Sequence, residues 1–72
     1  MNFYDTMQKI GIKVHSAVVL GKYLHIYTNK AEEPRIREVL GIMGAVKIMT
    51  LKPGADGKHL DGSKHHKIVA IF

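Results

Sequence analysis

In the stretch 56-DGKHLDGSKHHKI-68, His59, His65 and His66 stand among Lys58, Lys64 and Lys67, with Gly57 and Gly62 between them. Histidine titrates near neutral pH and serves both as an acid–base group and as a metal ligand. Lysine is a compact point charge suited to phosphate. Glycine lets backbone N–H groups turn toward an anion. Metal binding, catalysis and phosphate binding therefore compete on this stretch. The plain alternative is a solvated hairpin tip, which draws on the same Gly, Asp, Lys and Pro.

Metal binding is the weakest of these. His65 and His66 are adjacent, so on a strand they point to opposite faces. Only one of them can join His59 and Asp61 in a cluster, and the chain has no cysteine. Neither an HxH nor an HxxxH pair is present, so no metal and no cofactor are expected. Phosphate binding fits best: Lys58, His59, Lys64, His65, His66 and Lys67 read as contacts to a nucleic-acid backbone. There is no Walker spacing and hence no nucleoside triphosphate site. For catalysis, a histidine beside lysines has the chemistry to take a proton from an RNA 2′-hydroxyl. The segment 62-GSKHHKIVAIF-72 resembles the Gly-Ser-His-His stretch of the HicA family of mRNA-cleaving toxins, which fold like double-stranded-RNA-binding domains. The resemblance is confined to the start of that segment. Lys64 interrupts the motif, and the stretch falls on the last strand, where that family has it on the first. It implies a His66-dependent, metal-independent ribonuclease as a third function.

A second constellation lies in 23-YLHIYT-28. Alternation puts Tyr23, His25 and Tyr27 on one face of a strand, with Lys13 and His15 on the neighbouring strand and the same face. Aromatic rings on an open antiparallel sheet can stack single-stranded bases. The competing account is that Tyr and His pack across strands with wet tips. Arg35 and Arg37 are at helical spacing from Glu32, Glu33 and Glu38, and salt bridging is the simpler expectation for them.

The elements that must position these residues follow from periodicity. Residues 2–10 predict a short helix with Phe3, Met7 and Ile10 on one face. Asn2 and Asp5 are placed as a variant capping box, and Gly11 as the left-handed stop. Residues 12–20 alternate at first and predict a strand, with Ile12, Val14, Val18 and Leu20 on one face and Lys13 and His15 on the other. Gly21-Lys22 suits a type II′ turn into the strand 23–28. In 33-EPRIREVLGIMG-44, Pro34 opens a helix, Ile36, Val39, Leu40 and Met43 form its apolar face, and Gly44 ends it. Gly41 weakens this helix, and close packing would be a reason to tolerate it. Strands at 45–52 and 65–72 flank a long loop, 53–64. The fold expected is α+β: a single domain with αββαββ order, a four-stranded, mostly antiparallel sheet, and both helices on one face.

Val19, Met49, Leu51, Val69 and Ile71 are expected on the face away from the helices. A monomer would expose them as an apolar patch. This argues for a homodimer through that face or a sheet edge. With 72 residues and no disulfide, the chain has a small core and gains from self-association. A hydrophobic fraction of 46% fits a folded domain. No apolar run is long enough for a membrane span, and the N-terminal residues do not read as a secretory leader. A cytoplasmic protein is expected. A formal charge of +5 favours an anionic partner, nucleic acid or an acidic protein surface. The first functional reading is a small, basic nucleic-acid-binding module of low sequence specificity, and not an enzyme. The alternative is a protein-binding regulator or inhibitor of the kind that viruses and mobile elements encode.

Overall fold

A computed structural model describes residues 3–59, 62 and 64–72. The elements run α1 (Phe3–Lys9), β1 (Val14–Leu20), β2 (Tyr23–Thr28), a 3-10 turn (Lys30–Glu32), α2 (Glu33–Ile42), β3 (Lys47–Leu51) and β4 (His66–Ile71). The strands form one antiparallel sheet in the order β1-β2-β4-β3. This is the α+β class and the αββαββ order that periodicity predicts.

Both helices pack on the same sheet face. Phe3 and Met7 of α1, and Ile36 and Leu40 of α2, meet Leu24 and Ile26 of β2 and Ile68 and Ala70 of β4 in one buried cluster. Ile12 and Val14 extend it toward β1. The i, i+4 spacing in each helix is what brings both side chains onto the sheet. Thr28 is buried here as well, and its Oγ1 donates to the Lys13 carbonyl at 2.6 Å, so no unpaired hydroxyl enters the core. Ile10, expected on the α1 apolar face, is 49% exposed, because the helix ends at Lys9 and the chain turns at Gly11 (φ +79°). Asn2, the expected cap, lies outside the described residues. Gly21 has φ +62° and Lys22 a negative φ, a combination that fits type II′ and excludes type I′.

One irregularity changes the faces of β1. The ladder pairs Val14 with Thr28 and Ser16 with Tyr27, so His15 is an extra residue in a bulge. Beyond it the alternation is inverted. Ala17 and Val19 oppose Ile26 and Leu24 on the helix side, while Val18 and Leu20 oppose His25 and Tyr23 on the other side. Val18 and Leu20 were expected beside Val14, and Val19 on the open face; the bulge reverses both placements. Met49, Leu51, Val69 and Ile71 lie on the open face as expected: Met49 opposes Val69, Leu51 opposes Lys67, and Val69 and Ile71 oppose His25 and Tyr23 of β2.

Gly41 is not there for close packing. It is exposed, its φ is not positive, and a Cβ built on it meets nothing within 4 Å. Gly41→Ala should therefore stabilise the protein by about 0.5–1 kcal/mol, through helix propensity alone. A urea melt that shows no gain in midpoint would contradict this.

Candidate functional site

The sheet face turned away from the helices is built in three cross-strand rows. Tyr23 sits between Leu20 and Ile71, with Lys47 beyond. His25 sits between Val18 and Val69, with Met49 beyond. Tyr27 sits between Ser16 and Lys67, with Leu51 beyond. The period of β2 thus places its two tyrosines and a histidine in file on an inner strand, and no helix covers them. The Tyr23 and His25 rings are 6.4 Å apart and tilted by 50°. Lys67 Nζ lies 4.9 Å from the Tyr27 ring centre, and Lys22 Nζ lies 5.8 Å from that of Tyr23, both within cation–π reach.

The carboxylates are kept off the strands. None of the four strands carries an aspartate or glutamate. Asp5, Glu32, Glu33 and Glu38 belong to the helices and the 3-10 turn; Asp56 is on the long loop. The open face presents Lys47 and Lys67 on its strands, and Asp56 shares the adjoining cleft with Lys67.

The Tyr27 row runs into a cleft of about 630 Å³ between the sheet and the long loop, lined by Leu51, Lys52, Gly54, Asp56, Lys58, His59 and Lys67. Its loop wall is tied rather than loose. Gly54 N–H donates to the Lys58 carbonyl at 2.8 Å, Gly57 N–H to the Gly54 carbonyl at 2.9 Å, and Lys58 N–H to Asp56 Oδ1 at 3.0 Å. His59 Nε2 lies 2.9 Å from the His65 carbonyl and spans the base of the loop. Lys52, Lys58 and Lys67 thus line the same cleft.

The adjacent histidines part company as strand geometry requires. His65 stacks on His15, with ring centres 4.0 Å apart, and His15 Nε2 is 3.0 Å from Asn29 Oδ1. His66 opposes Thr28 on the helix side. Its Nε2 is 2.5 Å from Glu33 Oε1. Glu33 Oε2 accepts from Arg37 Nε at 2.8 Å and from Thr50 Oγ1 at 2.6 Å, and Arg37 Nη2 donates to the same Thr50 oxygen at 2.6 Å. The Thr50 and Arg37 bonds, with a smaller share from His66, hold the Glu33 carboxyl at about 2, against the opposing effect of burial. This cluster ties the start of α2 to β3 and β4. Arg35 pairs with Glu32 at 3.5 Å, so both arginines form the ion pairs that helical spacing predicts.

The residues singled out in the sequence therefore fall into three places. Tyr23, His25, Tyr27 and Lys67 share the open face. Lys58, His59 and again Lys67 line the cleft. His66 is on the other side, half-buried against Glu33, while Lys64 and His65 are exposed on the loop. Lys13 precedes β1, and its N–H donates to Glu32 Oε2 at 2.6 Å. Among the described residues no three His, Asp or Glu side chains converge as metal ligands; Asp61 of the conceivable cluster lies outside them. Lys52 belongs to the cleft and was missed. Its signal was its place just before Pro53-Gly54, where the chain turns out of β3 into the loop. No helix among the described residues is long and apolar enough to cross a membrane. Set against protein-family models, curated proteins and solved structures, the chain matches none.

Proposed function

We propose that the protein is a cytoplasmic, single-stranded nucleic-acid-binding module that works as a homodimer and has low sequence specificity. The observation that carries this reading is the uncovered sheet face, with Tyr23, His25 and Tyr27 in file, lysines beside the rings and no carboxylate on any strand. Bases stack on the rings, which accept any base because every base has a π-face. Phosphates pass to Lys67 and into the cleft beside Lys52, Lys58 and His59. Lys64 and His65 add charge and donors along the loop. His66 is given an architectural role in this reading, since its Nε2 is committed to Glu33.

The test is binding of short labelled uridine and adenine oligonucleotides, followed by fluorescence anisotropy as salt is raised. Three neutralised phosphates give a log–log slope of about −2 on a single strand. Changing Lys52, Lys58 and Lys67 together to glutamate should abolish binding at low salt. If the unmodified protein shows no affinity at low salt, or affinity that salt does not alter, the reading fails.

A protein partner is the second reading. What favours it is an apolar groove of about 380 Å³ at the other end of the sheet, lined by Phe3, Val19, Tyr23, Leu24, Met43 and Phe72 among others. Under this reading the partner stays bound at high salt and after nuclease treatment.

A further inference from the structure

We infer that the outer edge of β1 is a self-pairing seam, across which two copies of this chain join their sheets into one. The homodimer is part of the function proposed above; the seam, its register and its consequence for the binding face are new here.

The backbone fixes which groups are available. Gly21 and Lys22 form a two-residue turn, so Leu20 and Tyr23 are its closing, hydrogen-bonded pair. Phe72 N–H donates to the Lys22 carbonyl, which puts the even-numbered residues at this end of β2 in bonds with β4 and the odd-numbered ones in bonds with β1. Ser16, Val18 and Leu20 are therefore bonded inward to β2. The N–H and C=O groups of Ala17 and Val19 point outward, where no described strand pairs with them.

The two edges of the sheet are not alike. β3 is guarded: it is short, begins at Lys47, and is followed at once by Lys52 and Pro53. Charge and proline are the ordinary means of blocking edge pairing. The segment Ser16–Leu20 has neither. It is uncharged, and Val18, Val19 and Leu20 are 44%, 70% and 58% exposed. Elsewhere the chain is strongly cationic, with a formal charge of +5. Two copies meet with the least repulsion where no charge intervenes.

The occupant is a second copy because the segment is complementary to itself. An antiparallel pairing about a two-fold axis at Val18 sets Ala17 opposite the partner's Val19 and Val19 opposite the partner's Ala17. All four outward groups on each copy are then satisfied. Sliding the pairing one way runs into the bulge at His15, and sliding it the other way runs into the turn at Gly21. The axis is perpendicular to the sheet, so the Tyr23, His25 and Tyr27 files of both copies lie on one continuous face. This last consequence rests on the nucleic-acid reading; the seam itself does not.

The test uses the absence of cysteine from the chain. In this register Val18 faces Val18 of the other copy as a non-hydrogen-bonded pair, with Cα atoms about 4.5 Å apart, within the range a disulfide spans. Val18→Cys should give a covalent dimer under mild oxidation, and Lys47→Cys on the guarded edge should not. Val19→Lys changes an exposed side chain, so it should keep the folded circular-dichroism spectrum while shifting the protein to monomer in light scattering and lowering Tm only by the stability that association supplies. The proposal is overturned if Val18→Cys forms no more disulfide dimer than Lys47→Cys, or if Val19→Lys has the same mass in solution as the unmodified chain. Neither readout involves nucleic acid. A seam that holds while oligonucleotide binding fails would sink only the functional reading.

Discussion

With Tyr23 and Tyr27 both changed to alanine, affinity for a single-stranded oligonucleotide should fall by about 30-fold or more, since each ring contributes roughly 1–3 kcal/mol of stacking. The two rings differ in setting, which makes the control informative. Tyr23 is 40% exposed, so its loss should cost the fold little. Tyr27 is half-buried between Ser16 and Lys67, so its loss also removes packing. Changing both to phenylalanine keeps the π-faces and should keep most of the affinity. Anisotropy titrations on the alanine and phenylalanine pairs, run beside thermal melts, separate stacking from folding. Equal weakening by both pairs would assign the effect to the hydroxyls and refute stacking.

The second large effect is on stability. Glu33→Ala removes the one acceptor shared by Arg37, Thr50 and His66. Donors left partly buried without a partner cost about 1–3 kcal/mol. In a domain this small each kcal/mol lowers Tm by about 4–8 °C. The same cluster sets an acid limit. The Glu33 carboxyl is drawn from 4.5 down to about 2 in the folded protein. A group whose pKa is depressed by folding contributes its stability in full above the unfolded value and loses it as pH falls through the folded one. The contribution is therefore present at neutral pH and fades between about 4.5 and 2. Allowing for solvent at the rim of the site, it is worth about 1–2 kcal/mol. Glu33→Gln keeps the shape without the charge and should flatten the fall in stability over that window. Urea melts of the two proteins across the acid range measure it; parallel pH profiles would rule out Glu33 as the source.

Much of this architecture is local in origin, and that part is legible in the sequence. Phe3 and Met7, Ile36 and Leu40, and the alternation of 23-YLHIYT-28 each state their own element and face. The left-handed glycines at 11, 21 and 44 mark their boundaries. What is not legible is non-local. The bulge at His15 leaves only a weak mark in 12-IKVHSAVVL-20, where the alternation begun at Ile12 gives way to Ser16-Ala17 and the run Val18-Val19-Leu20. Its presence is decided by pairing with Thr28 and Tyr27 across the hairpin. The consequence is large, because one extra residue carries Val18 and Leu20 to the opposite face. The Glu33–His66 contact spans a sequence separation of 33, and nothing near either residue announces it. The candidate site divides in the same way. The file of Tyr23, His25 and Tyr27 follows from strand period alone. The joining of Lys52, Lys58 and Lys67 in one cleft depends on how the long loop folds back on the sheet.

The strand order carries a consequence for how the chain folds. β4 is the latest of the strands in sequence, yet it lies between β2 and β3. Until it inserts, β3 has no ladder partner, β2 keeps one side bare, and the start of α2 lacks His66. Of the earlier strands only β1 and β2 pair, and a two-stranded hairpin is marginal alone in water, so the ladder is expected to assemble in a single cooperative step. Amides in β2 and β3 should then exchange with solvent at one shared free energy, that of global unfolding.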